Sequence, residues 1–82
     1  GVPSISLDEF EIDPDVIALV PKDVASKHIA IPVQKAGSTL IVAMSDPSNI
    51  YAIDDLKFLT GLHIEPVVST DTAIEAAILR YY

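Results

Sequence analysis

The stretch that decides the fold is IAIPVQKAGSTLIVAM, residues 29–44. In residues 29–33 the odd-numbered side chains face one way and the even-numbered ones the other, as along a strand. Thr39–Met44 is apolar and partly β-branched, which also favours a strand. The loop between them, residues 34–38, contains Gly37. Two extended segments around a short glycine-containing loop predict a β-hairpin.

A helix is predicted directly after the hairpin. The turn at residues 46–49, Asp-Pro-Ser-Asn, ends the second strand and opens the helix. Gly61 is typical of the residue that terminates a helix. The expected apolar stripe comprises Ile50, Ile53 and Leu56, which recur at steps of three residues. Two further apolar residues, Ala52 and Leu59, widen it.

The sequence after Gly61 predicts a third strand and a last helix. Residues 63–68 form the strand, and Ser69 and Thr70 are expected to cap the helix that follows. Asp71 lies in its first turn, where the helix dipole favours an anion. The predicted apolar face of this helix comprises Ile74, Ala77, Ile78 and Tyr81.

Upstream of the hairpin, proline positions predict two short helices. Asp13 followed by Pro14 is typical of a helix start, with a carboxylate cap and proline at the first helical position. Pro21 ends that helix and opens a second one over the next residues. The predicted element order is therefore α-α-β-β-α-β-α, and the 82 residues are expected to form one domain.

Two further prolines predict the order of the strands. Pro32 and Pro66 lie in the first and third strands, and proline is confined to sheet edges because it lacks an N–H donor. The second strand should then be central and antiparallel to the first. A right-handed crossover helix would set the third strand parallel to the second. We expect an α+β fold with a small three-stranded sheet, order 1-2-3, and helices packed on it.

Composition and charge argue against several classes of function. Twelve acidic against five basic residues give a net charge of −7, which disfavours nucleic acid and anionic lipid surfaces as partners. The apolar runs are far shorter than the roughly 20 residues that span a bilayer. The start, Gly1-Val2-Pro3, lacks the features of a signal peptide, and we expect the chain to be a piece of a longer protein.

No catalytic, cofactor or metal site is predicted. None of the glycines is followed by lysine, so the phosphate loop of ATPases is absent from the sequence. His28 and His63 are interpreted as ordinary boundary or surface residues, and Tyr81 as a core residue. Tyr82 is interpreted as the place where the segment ends. Asp46, Asn49 and Asp54 could line a small oxygen-rich site, but turn and capping roles explain the first two without a ligand.

The chain resembles a known family along nearly its whole length. The motif L-x-V-A-M-x-D-P-x-N begins at Leu40, and A-x-D-D-x-x-F-x-T-G begins at Ala52. They resemble the amino-terminal, MshEN-like domain of type II secretion system protein E and the type IV pilus assembly ATPase PilB. The resemblance implies a non-catalytic docking or regulatory domain joined to an ATPase core in the same parent chain. It also implies a cytoplasmic location, peripheral to the bacterial inner membrane.

The resemblance leaves two other functions open. Some family members bind cyclic di-GMP through repeated motifs that begin Arg-Leu-Gly and lie upstream of a segment matching Gly1-Val2-Pro3 to Leu7. This chain contains neither copy, so tight binding of cyclic di-GMP by this fragment alone is not expected. The other alternative is an accessory domain on an unrelated enzyme, such as a glycosyltransferase.

The expected partner is a platform protein of the secretion or pilus machine, in the cytoplasm or at the inner membrane. Two sets of polar residues are candidate docking positions. The first is an acidic stretch near the start of the chain, with Asp8, Glu9 and Glu11. The second lies at and after the turn that follows the hairpin, with Asp46, Asn49, Asp54 and Asp55.

Overall fold

The computed structural model describes residues 3–82, so Gly1 and Val2 of the Gly-Val-Pro start lie outside the described residues. The elements follow the predicted order after one additional short 3₁₀ helix, Leu7–Glu9. The helices are α1 (Pro14–Ile17), α2 (Lys22–His28), α3 (Ile50–Thr60) and α4 (Asp71–Tyr81). The strands are β1 (Ala30–Ala36), β2 (Thr39–Met44) and β3 (His63–Val68).

The predicted sheet is confirmed. Its order is β1-β2-β3, with β2 in the centre. β1 pairs antiparallel with β2, and β2 pairs parallel with β3. Both prolines lie on the outer strands, because neither could donate a hydrogen bond to a central ladder.

The hairpin itself is longer and tighter than predicted. β1 starts at Ala30 and not at Ile29, which adopts a left-handed conformation (φ 49°) at the end of α2. β1 also continues to Ala36, so the predicted five-residue loop shortens to a turn at Gly37, which has a φ of 62°. The polar residues before this turn pair with β2. Because their side chains are exposed, the sequence pattern gave no sign that they belong to the strand.

The sheet register shifts between Pro32 and Gln34, so Val33 bulges out of the ladder. All four residues from Ala30 to Val33 are buried. Successive strand side chains point to opposite faces, so both faces of this half of β1 are covered.

The caps of α3 are confirmed, but its predicted stripe is partly wrong. Asn49 accepts a hydrogen bond from the Ala52 N–H, and Gly61 ends the helix at φ 68°. Ala52 and Leu56 are fully buried, whereas Ile50 is 63% and Leu59 45% exposed. Steps of three residues rotate by about 60° backwards around a helix with 3.6 residues per turn. Over the three steps from Ile50 to Leu59 the stripe crosses to the opposite side.

α4 buries three of the four residues of the predicted face, and the fourth, Tyr81, is only partly buried and packs against the core. Ile74, Ala77 and Ile78 are in the core, and the Thr70 hydroxyl caps the helix by accepting from the Ala73 N–H. Ser69 does not cap: it is buried, and its N–H donates to the Met44 carbonyl at 3.1 Å.

The segment before α1 wraps along the third strand, which the sequence pattern did not predict. Val68 donates its N–H to the Pro3 carbonyl at 2.7 Å, and Ile5 donates to the Val68 carbonyl at 3.0 Å. Leu7 and Ile12 then enter the core, each 3% exposed. The start of the described chain is thereby fixed against β3 and the core.

Candidate functional site

The first candidate surface is the acidic leader, which we define as residues 8–15. Its five carboxylates are all exposed: Asp8, Glu9, Glu11, Asp13 and Asp15. Asp13 is also the cap of α1, since its Oδ1 accepts from the Asp15 N–H at 2.9 Å. The burial of Leu7 and Ile12 holds the leader against the body of the domain.

Tyr81 fixes the backbone in the middle of the leader. Its hydroxyl donates to the Phe10 carbonyl at 3.2 Å and accepts from the Ile12 N–H at 3.1 Å. The neighbouring Arg80 lies over the Tyr81 ring, 5.0 Å from its centroid. Its Nη2 is 4.0 Å from Glu11 Oε1, and both side chains are largely exposed, so this pair adds little stability.

Tyr82 holds the segment that follows the leader, which corrects its interpretation as a mere end point. Its hydroxyl donates to the Val20 carbonyl at 2.7 Å and lies 3.3 Å from the Ile17 carbonyl. Burial raises the pKa of Tyr82 to about 12, because the charged phenolate loses solvation. The sequence did contain a signal for this role, because Tyr82 follows the apolar face of a helix and the hydroxyl of a buried tyrosine usually forms a hydrogen bond.

The second candidate surface is the α3 outer face, which we define as Tyr51, Asp54, Asp55 and Phe58. Phe58 is 93% and Tyr51 79% exposed, and both carboxylates between them are exposed. The spacing of three, four and seven residues places all four on one side of the helix. This side is opposite Leu56, which is fully buried. The exposure of the two aromatic side chains was not predicted.

Asp46 and Asn49 are the other two members of the second candidate docking set, and both form hydrogen bonds in the turn before α3. Asp46 Oδ1 accepts from the Ser48 N–H at 3.1 Å and from its hydroxyl at 2.6 Å. Asn49 Oδ1 accepts from the Ala52 N–H at 3.2 Å. Their predicted turn and capping roles are confirmed. Within residues 3–82, no three acidic or histidine side chains cluster closely enough to hold a metal ion.

An interaction that sequence reasoning missed ties α2 to α3. His28 Nε2 lies 3.0 Å from Asp55 Oδ2, and the His28 side chain is only 9% exposed. The two residues are 27 positions apart, so no local pattern indicates their contact. His63, in contrast, is exposed at the start of β3. Of the two carboxylates on the α3 outer face, Asp55 is therefore oriented by His28. Asp54 is held neither by the turn before α3 nor by a histidine.

A surface groove of about 420 Å³ runs between the leader and α4, lined mainly by apolar atoms. Leu7 and Asp8 form one wall, and Ala73, Ala76 and Arg80 contribute to the other.

The helices of residues 3–82 all fall short of the length and hydropathy that crossing a bilayer requires.

Comparison with known proteins matches the whole chain to one family. The model of the MshEN domain matches residues 1–82. The type IV pilus assembly ATPase PilB of Myxococcus xanthus is 61% identical over all 82 residues, which correspond to 14% of its length. PilB of Thermus thermophilus is 34% identical over 87 residues, covering all of this chain and 10% of the relative. PilB of Pseudomonas aeruginosa is 36% identical over 77 residues, covering 94% of this chain and 13% of the relative.

Two solved structures share the fold. A structure of MshE with cdg (cyclic di-GMP) has a TM-score of 0.90 and 29% identity, covering 99% of this chain and 59% of that one. The N-terminal domain of XpsE has a TM-score of 0.88 and 23% identity, covering 100% and 58% of the two chains. Both structures therefore contain a substantial segment with no counterpart in residues 1–82.

Proposed function

The chain belongs to the MshEN domain family, and we propose that it is the docking and regulatory domain of a type IV pilus assembly or type II secretion ATPase. In this proposal it performs no catalysis and acts through protein–protein contacts. The observation that carries the proposal is the 61% identity with a pilus assembly ATPase over every residue of the chain. The chain spans only 10 to 14% of the length of the curated relatives described above.

The ATPase core of the parent would lie in the remainder of that length. The phosphate-binding sequence that an ATPase needs is missing from these 82 residues. Hydrolysis and force are therefore assigned to the rest of the parent, and contact with its surroundings to this domain.

The partner in this proposal is a platform protein of the pilus or secretion machine, in the cytoplasm or at the inner membrane. The acidic leader supports this assignment, because a row of exposed carboxylates attracts a basic protein surface and repels anionic lipid. The proposed docking positions at the leader are Asp8, Glu9 and Glu11. The exposed pair Asp54 and Asp55, with Asp46 and Asn49 in the preceding turn, is the second proposed set.

Removing this domain from the parent ATPase tests the proposal. We expect the purified shortened protein to keep its basal ATP hydrolysis, while pilus assembly or secretion in cells is lost. Loss of basal hydrolysis in a shortened protein that remains folded would make the domain part of the motor. Normal pilus assembly without the domain would also contradict the proposal.

Cyclic di-GMP sensing is the second candidate function, and the structure of MshE with cdg favours it. The similarity to that chain is close in fold, but 41% of it is not covered by residues 1–82, since the covered share is 59%. We propose that this chain contributes at most one wall of such a site. Net charge supports this limit, because seven excess negative charges disfavour a ligand with two phosphates.

Calorimetry distinguishes the two candidates. We expect residues 1–82 to bind cyclic di-GMP no more tightly than the micromolar range. A longer parent segment should be titrated in parallel. A submicromolar dissociation constant for residues 1–82 would place a complete site within this chain and make sensing the leading function.

A further inference from the structure

The α3 outer face exposes aromatic side chains that play no part in the fold. Phe58 is 93% exposed, and Tyr51, seven residues earlier on the same face, is 79% exposed. Seven residues correspond to two helical turns, or about 10 Å along the axis. The aliphatic side chains of Ile50 and Leu59, 63% and 45% exposed, lie at the margins.

Such exposure contributes nothing to the stability of the domain, whereas a partner that covers these side chains gains from their burial. Burying a large apolar side chain stabilises a fold, and the domain gains almost none of this stabilisation from Phe58. Tyrosine and phenylalanine are enriched in the centres of protein interfaces, where they act as anchors. The inner side of α3 already supplies Ala52 and Leu56 to the core, so the outer face is available.

The carboxylates between the aromatic residues determine the charge of the partner. Asp54 and Asp55 would be covered together with Tyr51 and Phe58, and a covered carboxylate without a cation loses its solvation uncompensated. A second copy of the chain would oppose these carboxylates with its own, and each copy carries a net charge of −7. Anionic lipid and nucleic acid are disfavoured by the same charge. A protein surface with Lys or Arg is the remaining complement.

The size of the face points to a helix. Two aromatic side chains supply about 300–500 Å² when covered, since each buries about 150–250 Å². A standard interface buries about 800 Å² on each partner, so this face is narrower than a domain-sized contact. An amphipathic helix matches it, with apolar residues two turns apart over Tyr51 and Phe58 and basic residues between them over Asp54.

We propose that the α3 outer face docks a basic amphipathic helix of a partner protein. Phe58 and Tyr51 are its apolar anchors, and Asp54 is the main carboxylate that pairs with a basic side chain. Asp55 has a smaller part, because its Oδ2 already lies 3.0 Å from His28 Nε2.

Three synthetic helical peptides probe this face on the intact 82-residue chain. The first has leucines on one side and lysines beside them, the second has glutamates in place of the lysines, and the third has the first composition in scrambled order. Binding is followed by amide chemical shifts and by fluorescence anisotropy. We expect the first peptide to shift the α3 resonances and to bind at least tenfold more tightly than the other two.

Matched variants locate the binding. Phe58→Ser should weaken the first peptide at least tenfold, and Asp54→Asn about three- to fivefold with a flatter salt dependence. Leu79→Ser is the control, because Leu79 is 78% exposed but belongs to α4 and not to α3. Each variant should unfold at the wild-type temperature, since none of the three side chains is buried.

Five outcomes would overturn the proposal. Two concern the peptides: equal binding of the three, and a larger effect of Leu79→Ser than of Phe58→Ser. Two concern other occupants: a chain dimer that Phe58→Ser dissociates, and binding to vesicles with anionic lipid that depends on Phe58. The last is an unreactive thiol at Phe58→Cys in a cysteine-free form of the parent, because the parent itself would then cover this face.

The inference is independent of the acidic leader and rests on the proposed function only in expecting a protein partner. Peptide binding at α3 together with normal pilus assembly by the domain-deleted parent would contradict the proposed function alone. Loss of assembly on deletion, together with equal binding of the three peptides, would contradict this inference alone.

Discussion

The acidic leader and the α3 outer face are both exposed, but they differ in what holds them and in what they expose. The leader has a backbone fixed by buried Leu7 and Ile12 and by the Tyr81 hydroxyl, and it presents charge. The α3 outer face belongs to a regular helix and presents aromatic rings. Exposed charge is ordinary on a protein surface, whereas a phenylalanine that is 93% exposed is uncommon.

The difference suggests two stages of recognition. Charges at the leader act over a Debye length of about 8 Å at physiological salt and so affect the rate of encounter. Aromatic anchors act only in contact, and they affect mainly the rate of dissociation. If the leader and the α3 outer face bind the same partner, mutations in the leader should change the association rate. Mutations in the α3 outer face should change the lifetime of the complex.

The largest expected effect separates the fold from the surfaces. Ile12→Ala removes a buried side chain that anchors the leader and should lower the free energy of unfolding by about 2–5 kcal/mol. Phe58→Ala on the α3 outer face should change it by no more than about 0.5 kcal/mol. Urea unfolding followed by circular dichroism measures both. If Ile12→Ala does not fold, Ile12→Val should still cost about 0.5–1.5 kcal/mol.

Equal losses for Ile12→Ala and Phe58→Ala would break the comparison, because the α3 outer face would then be part of the fold. A negligible loss for Ile12→Ala would mean that the leader is not anchored by burial.

Sequence reasoning was most accurate where structure is set locally. β2 follows from its apolar, partly β-branched composition. Two helix starts follow from the side chains of Asn49 and Thr70, which accept backbone N–H groups, and the end of α3 follows from the left-handed backbone of Gly61. Proline positions were enough to order the sheet, since the lack of an N–H is a property of the residue itself.

The parts that were missed depend on contacts between distant residues. The pairing of Ile5 with Val68, the hydrogen bond from Tyr82 to Val20 and the contact of His28 with Asp55 have no local signature. The candidate site was therefore predicted only by residue type: the carboxylates were found, but the exposed aromatic residues beside them were not. Helix periodicity counts apolar positions and does not reveal which of them the core has room to cover.

The next effect concerns the tyrosine that holds the chain after the leader. Tyr82→Phe removes the hydroxyl that bonds to the Val20 carbonyl and should cost about 1 kcal/mol. Tyr51→Phe, the matched change on the α3 outer face, should cost almost nothing because Tyr51 is 79% exposed. Hydrogen exchange should show faster opening of α1 in Tyr82→Phe only. Equal stability of the two variants would mean that the hydroxyl of Tyr82 does not hold this segment.

A further effect of the same side chain should appear at high pH. Burial raises the pKa of Tyr82 from 10.0 to about 12, so the folded state favours the neutral phenol. The resulting stabilisation is complete below pH 10 and is lost as the pH rises through about 12. Stability measured from pH 9 to 12 should fall more steeply in the wild type than in Tyr82→Phe. Parallel curves for the two proteins would show that Tyr82 ionises as freely when folded as when unfolded.

The smallest effect on stability, and the most direct test of the leader, comes from its charges. Asp8→Asn, Glu9→Gln and Glu11→Gln together should leave the unfolding midpoint nearly unchanged, because exposed charges contribute little to folding. Asp13 is left intact, since loss of its cap would add about 1 kcal/mol and confuse the result. Stopped-flow association with the proposed platform partner at two salt concentrations should show slower binding and a flatter salt dependence.

A charge-matched control decides whether this effect belongs to the leader. Asp23→Asn, Glu65→Gln and Glu75→Gln remove the same three charges from exposed positions elsewhere. Net charge alone would slow both triple variants equally, whereas a steering surface at residues 8–11 would slow only the first. Glu11 is expected to contribute least, because Arg80 lies 4.0 Å away and offsets part of its field. Restoring Asp8 and Glu9 alone should therefore recover most of the association rate. An unchanged association rate in the triple leader variant would leave the α3 outer face as the docking surface.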